Sequence, residues 1–319
     1  MRTVVILAFE GVHLLDVAGP AAAFADVDAV LGRPAYRVRI ASARGGTVAA
    51  VGGIGLATEP VAAVAERPDT VVVPGGVTEA ALVPVIRDRR LREWLRDARP
   101  RRVASVCTGA FVLAAWGCLS GRRAATHWQA TDRLAALHAD VRVDPDALFV
   151  EDGGVWTSAG VSTGIDMALA MIERDHGRAV TGDVARRLVL HARRPGHQSQ
   201  FSDVLAAQAG PYRALADWIG ANLDADLGVE ALAARAGQSA RTFHRRFTAA
   251  IGRTPAAYVE RLRVARAGLL LQAGTPQKRV AEAVGLVSQA RLARAFRRTL
   301  GLTPATYLAL NGKAGALTP

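Results

Sequence analysis

Residues 239–258 read SARTFHRRFTAAIGRTPAAY and residues 288–307 read SQARLARAFRRTLGLTPATY, a near-repeat at an offset of 49 positions. The two stretches share Ser239/Ser288, Arg245/Arg294, Phe247/Phe296, Gly252/Gly301, Thr254/Thr303, Pro255/Pro304, Ala256/Ala305 and Tyr258/Tyr307. Two units are too few for a solenoid, which needs about three. The repeat therefore predicts two copies of a small helical module. Each copy follows a short amphipathic stretch ending in Gly, VEALAARAG (229–237) and KRVAEAVG (278–285). A helix, a Gly-containing turn and an Arg-rich helix opened by Ser make a helix-turn-helix. Such units are expected at about 229–250 and 278–299.

Helical spacing sorts each copy into faces. In the first, Phe243, Phe247 and Ala250 form an apolar stripe with Ile251 just beyond it. The opposed face carries Arg241, Arg245 and Thr248, flanked by Thr242 and His244. In the second, the stripe is Leu292, Phe296 and Thr299, and the opposed face carries Ala290, Arg294 and Arg297, flanked by Arg291. Ser239 and Ser288 stand where an N-cap oxygen accepts from the first turn. Thr254-Pro255 and Thr303-Pro304 repeat a start signal for the following helix. One Arg-rich helix alone reads equally well as a solvated surface. Its duplication in a basic segment points to nucleic acid, with Arg241, Thr242, His244, Arg245, Ala290, Arg291 and Arg294 as the candidate reading residues.

Charge agrees with that division. The 319 residues suggest about two domains. Residues 1–212 hold 24 basic against 22 acidic side chains, whereas residues 213–319 hold 16 against 6. The net +12 is thus concentrated in the last third of the chain, as phosphate contacts require. Of the 40 basic residues all but Lys278 and Lys313 are Arg, a bias that GC-rich codons also produce. The Arg excess is therefore not itself read as recognition.

Cys107 and Cys118 are the only cysteines, which implies no disulfide framework and fits a reducing compartment. The longest uncharged run, Val103–Gly121, is broken by Ser105, Thr108, Gly109, Gly117 and Ser120, and reads as strand, turn and helix. A cytoplasmic protein without a membrane span, metal or cofactor is expected.

Residues 1–176 alternate apolar runs with amphipathic stretches, the pattern of an α/β sandwich with a mostly parallel sheet. Strands are expected at Thr3–Ala8, Tyr36–Ser42, Thr70–Pro74, Val103–Val106, Ala147–Glu151 and Val155–Thr157. Helices are expected at Gly19–Leu31, Glu79–Asp97, Thr108–Trp116, Trp128–Leu137 and Val161–Arg174, with one more over 177–191. The polar, Pro- and Gly-containing stretch from 191 to 212 reads as a linker between a first domain (1–190) and a second (213–319). The second opens with a helix near Tyr212–Asn222, and a long helix from Pro255 to about Leu271 joins its halves.

Cys107 falls between an apolar strand and a helix, with small residues two positions either side at Ser105 and Gly109. That is the demand of a sharp strand-to-helix elbow. A sulfur there faces the helix N-terminus, which lowers a thiol pKa; an ionised Asp16 nearby opposes that. Parallel sheets bind ligands beyond the C-terminal ends of their strands, which adds Asp16, Gly75, Gly76 and His127 as candidate lining residues. Singly, each has a plainer role as cap, turn or core residue. Cys118 reads as core.

Residues 213–319 resemble the AraC/XylS-type DNA-binding domain, including the IGRTPAAY and LGLTPATY tails. Residues 1–190 resemble the DJ-1/PfpI superfamily, in the branch of GlxA-like regulators, through LLDVAGPAAAF, VVVPGG, SVCTGAFVLAAWGCLSGRRAATHW, TSAGVSTGIDMAL and RPGHQSQF. The resemblance implies a flavodoxin-like α/β sandwich of the class I glutamine amidotransferase type, followed by an all-α domain. It implies a homodimeric transcription regulator, most readily an activator, whose partners are promoter DNA, RNA polymerase and a small inducer such as an amino acid or quaternary amine. Peptidase-like members carry His directly after the nucleophilic Cys; Thr108 stands there instead and joins the candidate ligand residues. Asp16 and Cys107 match the Asp and Cys of the isonitrile hydratase branch, which implies the alternative of an enzyme with an accessory DNA-binding domain. His197 replaces the usual Gly of RPGGQSQF, and GLVSQARL (285–292) departs from the common GFGSxxxL.

Overall fold

The computed structural model describes residues 1–64, 67–76, 78–190, 196 and 210–311. It divides into two compact units, Met1–Gln200 and Phe201–Pro319. Almost all of the expected linker (191–212), His197 included, lies outside the described residues.

The first unit is built on strands β1 (Arg2–Leu7), β2 (Tyr36–Ser42), β3 (Gly46–Ala49), β4 (Gly55–Pro60), β5 (Thr70–Val73) and β6 (Arg102–Val106). Later come β7 (Arg123–Ala124), β8 (Arg142–Val143), β9 (Phe149–Asp152) and β10 (Val155–Ser158). The main sheet runs β3-β4-β2-β1-β5-β6-β10-β9, while β7 and β8 form a separate ladder. From β4 to β10 its neighbours pair in parallel, and only the edge pairs β3–β4 and β9–β10 are antiparallel. Buried runs such as Val4–Leu7 and Val71–Val73 show no alternation, as strands covered on both faces should not.

Helices α1 (Leu14–Leu31), α2 (Glu79–Arg87), α3 (Arg89–Ala98), α4 (Gly109–Ala115), α5 (Thr131–Leu137) and α6 (Thr163–Arg187) flank the sheets. α1 packs against α6, and α2 against α4. Several boundaries differ from the sequence reading. α1 starts at Leu14, not at Gly19, and carries Pro20 inside the helix. The single helix expected over 79–97 breaks at Asp88, whose carboxylate caps α3 by accepting from Arg90 N at 2.9 Å and Leu91 N at 3.3 Å. The two helices expected around 161–191 form one run bent at Gly177, which is non-helical at φ 83°. The β3–β4 hairpin was not foreseen, because GTVA and GLATEP are short and carry little apolar signal.

The second unit contains α7 (Arg213–Ala221), α8 (Val229–Arg235), α9 (Ala240–Ile251), α10 (Pro255–Gln272), α11 (Gln277–Ala283), α12 (Gln289–Leu300) and α13 (Pro304–Asn311). It has two cores, not one. Tyr212, Phe243, Phe247 and Tyr258 centre the first; Leu292, Phe296 and Tyr307 centre the second. α10 supplies residues to both, Val259 on one side and Val264 on the other. The near-repeat thus folds as two modules on a shared helix.

Candidate functional site

Two sites emerge, one in each unit. In the first, the elbow after β6 holds Cys107 in the left-handed region at φ 57°. Such a backbone in a non-glycine residue costs on the order of 1–3 kcal/mol and persists only where its surroundings hold it. Here they do. Cys107 N donates to Ser158 O of β10 at 2.9 Å, and Cys107 O accepts from Thr126 Oγ1 at 3.0 Å. Small residues let the neighbours close in: a methyl group at Gly109 would overlap Val73 O and lie 2.8 Å from Pro74 O. One at Gly160 would overlap Cys107 Cβ and lie 2.8 Å from its Sγ.

Asp16 is fully buried in the first turn of α1 and ties two loops together. Its Oδ2 accepts from Gly75 N at 3.1 Å, and its Oδ1 from Val161 N at 2.8 Å. Thr108 Oγ1 donates to Gly76 O at 3.0 Å and sits 3.1 Å from Gly76 N. Asp16, Gly75, Gly76, Cys107 and Thr108 therefore meet around one point, at the ends of β5, β6 and β10. His127 is half-buried at the rim, with Nδ1 accepting from Gln129 N at 3.4 Å.

The electrostatics correct one expectation. Burial, then the nearby Asp16 carboxylate, pushes the Cys107 thiol up to about 12, although Thr108 N–H and hydroxyl favour the thiolate. The helix N-terminus does not prevail, because desolvation outweighs a few N–H dipoles. Burial also raises Asp16, against the two backbone N–H groups and the nearby His13. It lowers His127, against the attraction of Asp16.

Three participants escaped the sequence reading. His13 Nδ1 lies 3.6 Å from Asp16 Oδ1 and is buried without a hydrogen bond. Its spacing of three residues from Asp16 at a helix start was the available signal. Gly160 and the left-handed Val161 (φ 51°) follow β10 and complete the cradle. Applying the strand-end rule to β10 as well would have pointed to them.

In the second unit the caps stand where the sequence put them. Ser239 Oγ accepts from Thr242 N at 3.4 Å, and Ser288 Oγ from Arg291 N at 3.3 Å. Thr254 and Thr303 repeat the motif on Ala257 N and Thr306 N, at 3.3 and 3.1 Å. On α9, Arg241, His244 and Arg245 are exposed and Thr242 half-buried; on α12, Ala290, Arg291 and Arg294 are exposed. The apolar stripes need correction. Ala250 is exposed and Ile251 takes its place in the core, while Ala295 is buried and Thr299 only partly so. Thr299 instead joins Arg298 on the Glu260 carboxylate of α10. Arg263 of α10 donates to Leu223 O at 2.9 Å and Ala225 O at 3.1 Å, and a methyl group at Gly285 would lie 2.7 Å from its Nη2. One guanidinium thus touches the first module and the turn of the second.

The two turns differ in length. Gly237 precedes the Ser239 cap by two residues, but Gly285 precedes Ser288 by three. The extra residue is Val287, exposed and left-handed at φ 61°. A β-branched residue in that region is strained. Val287→Gly should therefore stabilise the chain by about 1 kcal/mol, the relief exceeding the entropy cost of Gly. A chemical-denaturation midpoint that stays level or falls in the variant would show that the turn carries no such strain.

No described helix is long and apolar enough to cross a membrane. The model of the DJ-1/PfpI family matches residues 2–174, and that of a helix-turn-helix domain matches residues 232–309. The HTH-type transcriptional regulator CdhR of Pseudomonas aeruginosa is 30% identical over 292 residues, covering 89% of this chain and 85% of that protein. An isonitrile hydratase of Pseudomonas putida is 33% identical over 171 residues, 52% of this chain and 69% of the enzyme. In fold, the chain is similar to an AraC family transcriptional regulator from Pseudomonas putida, with a TM-score of 0.53 at 21% identity over 59% of this chain and all of that one.

Proposed function

We propose a ligand-gated mechanism from one premise: the chain belongs to the DJ-1/PfpI family, among the AraC-type helix-turn-helix transcription regulators. In this reading residues 1–190 sense a small metabolite and residues 213–319 bind promoter DNA in the cytoplasm. The inducer is an amine, drawn from amino acids or quaternary amines, and it lodges among Asp16, Gly75, Gly76, Cys107, Thr108 and His127. The observation that carries the mechanism is the position of Asp16. Its carboxylate holds the strained Val161 turn, two residues before α6 begins. A cationic inducer drawn to that carboxylate competes with Val161 N–H. Releasing the turn lets α6 shift, and α6 is the last described helix before the expected linker. The regulator works as a homodimer that recruits RNA polymerase as an activator.

The competing reading is hydration of isonitriles by Asp16 and Cys107, supported by the hydratase relative. A thiol pushed up to about 12 is a poor nucleophile at neutral pH, which favours sensing over turnover. On the DNA side, Arg241, Thr242, His244 and Arg245 enter one major groove. Ala290, Arg291 and Arg294 enter the next, about 10 bp away. Arg245→Ala should relax preference at one base position, since an Arg–guanine pair is worth about 1–3 kcal/mol of discrimination. Selection from a randomised promoter library, with the number of chains per bound duplex counted, tests this. A uniform loss across all sequences would move Arg245 to the phosphates, and one chain per site would remove the dimer. Turnover of an isonitrile by the wild type would overturn the sensing role.

A further inference from the structure

α3 has two faces. Leu91 and Leu95 are buried, while Arg89, Arg92, Arg96 and the C-cap residue Arg99 are all exposed. Spacings of three and four put Arg89, Arg92 and Arg96 on one stripe of the helix, and Arg99 follows at its end. They border a groove of about 550 Å³ whose lining continues over Leu95, Val103 and Trp116 to Cys118.

The composition of this groove is lopsided. Among the described residues Glu93 is the one acid in its lining, and Arg96 is paired with its neighbour Asp97 at 2.9 Å. Arg89, Arg92 and Arg99 make no ion pair among the described residues. Arg99 is moreover left-handed at φ 43°, a backbone strain placed at the rim of the groove, and its carbonyl accepts from Arg67 Nε at 2.7 Å. Trp116 donates its Nε1 to Ile86 O at 3.1 Å, so the ring brings apolar area with its polar atom already satisfied. Unpaired cations around an apolar floor are costly to keep together and gain most from an anion.

We propose that this groove is a second ligand site, for a small organic anion whose head group pairs with Arg92 and Arg99 and whose aromatic or aliphatic body lies on Leu95, Val103 and Trp116. It is separate from the Cys107 site. Val103 lies four residues before Cys107 along the β6 strand direction, about 13 Å at the usual rise. Occupancy here would stiffen the join between α3 and β6, giving the regulator a second input.

Cys118 in the groove lining provides the readout. In full-length Cys107→Ser protein it is the sole thiol, so alkylation by iodoacetamide reports on this groove alone. Millimolar benzoate and phenyl phosphate are expected to slow Cys118 alkylation several-fold. Benzyl alcohol, of the same shape without charge, should leave it unchanged. Arg92→Gln, alone and with Arg99→Gln, should remove the protection while thermal melting stays level, because both side chains are exposed. Equal protection by benzyl alcohol would make the groove merely apolar, and protection that survives both substitutions would take the arginines out of it. No protection by either anion would also overturn the proposal. None of these outcomes depends on Asp16 or on DNA.

Discussion

Gly109→Ala should lower the stability of the first unit by about 3 kcal/mol or more, because the added methyl has nowhere to go. It would overlap Val73 O and lie 2.8 Å from Pro74 O, and both are backbone atoms between β5 and the turn after it. Flexible side chains can swing away from such a clash; backbone in a central parallel strand moves only with its neighbours. A loss of that size corresponds to a melting shift of roughly 6–12 °C in a unit of about 200 residues. The same substitution at Gly32, which has φ 64° but open space around it, should cost much less. Calorimetry on the two variants separates close approach from backbone conformation. Equal, small shifts would mean that the elbow repacks freely, and the tight cradle around Cys107 would have to be abandoned.

Asp16→Asn should produce the largest functional change. The negative charge of Asp16 is, after burial, the main reason the Cys107 thiol stands at about 12. The sign is direct: removing a negative neighbour stabilises the thiolate, so the pKa falls, while burial keeps it above the usual thiol value. At pH 8 a thiol near 12 is ionised in roughly one molecule in ten thousand. Each unit of fall multiplies that fraction by about ten. Alkylation of Cys107 at pH 8, measured in a Cys118→Ser background, should accordingly accelerate by about an order of magnitude. Induction of a reporter promoter should be lost in the same variant, with DNA binding retained. An unchanged alkylation rate would mean that Asp16 is not ionised beside the thiol. Normal induction would detach the inducer from Asp16.

Asp16→Ala is a harsher probe. It leaves the N–H groups of Gly75 and Val161 without their acceptor, at about 1–3 kcal/mol for each buried donor. Asp16→Asn keeps one acceptor oxygen and turns an NH2 toward the other N–H, so a stability loss larger in Asp16→Ala than in Asp16→Asn would report the loop-tying role. The induction defect common to both would report the inducer.

Some of this was legible from residue order and some was not. Ser239, Ser288, Thr254 and Thr303 act as caps because a cap needs only a hydroxyl and an N–H two or three residues on. The elbow at Cys107 announced itself through Gly109, since a turn that sharp excludes side chains next to it. Exposure of the arginines on α9 and α12 followed from helical period alone. At the ends of those same helices the projection failed. Ile251 replaced Ala250 in the core, and Thr299 turned to Glu260, a residue of α10 that no periodicity within α12 mentions.

The candidate ligand site divides along the same line. That Asp16, Cys107 and His127 belong near one another was inferable from strand ends. The sign of the Cys107 shift was not. Residue order set the helix N–H groups, which lower a thiol pKa, against an ionised Asp16, which raises it, and gave no measure of burial. Burial decides the sign, and it comes from far along the chain: Gly160 closes on the sulfur, and the opposing Asp16 carboxylate is itself held by Val161, 145 residues away from it. Sequence order by itself determined the modules, their caps and their charged faces, because those depend on neighbours within a turn or two of helix. Tertiary structure alone decided how dry the thiol is and where an extra turn residue is strained, because burial and backbone strain depend on what the rest of the chain packs around them.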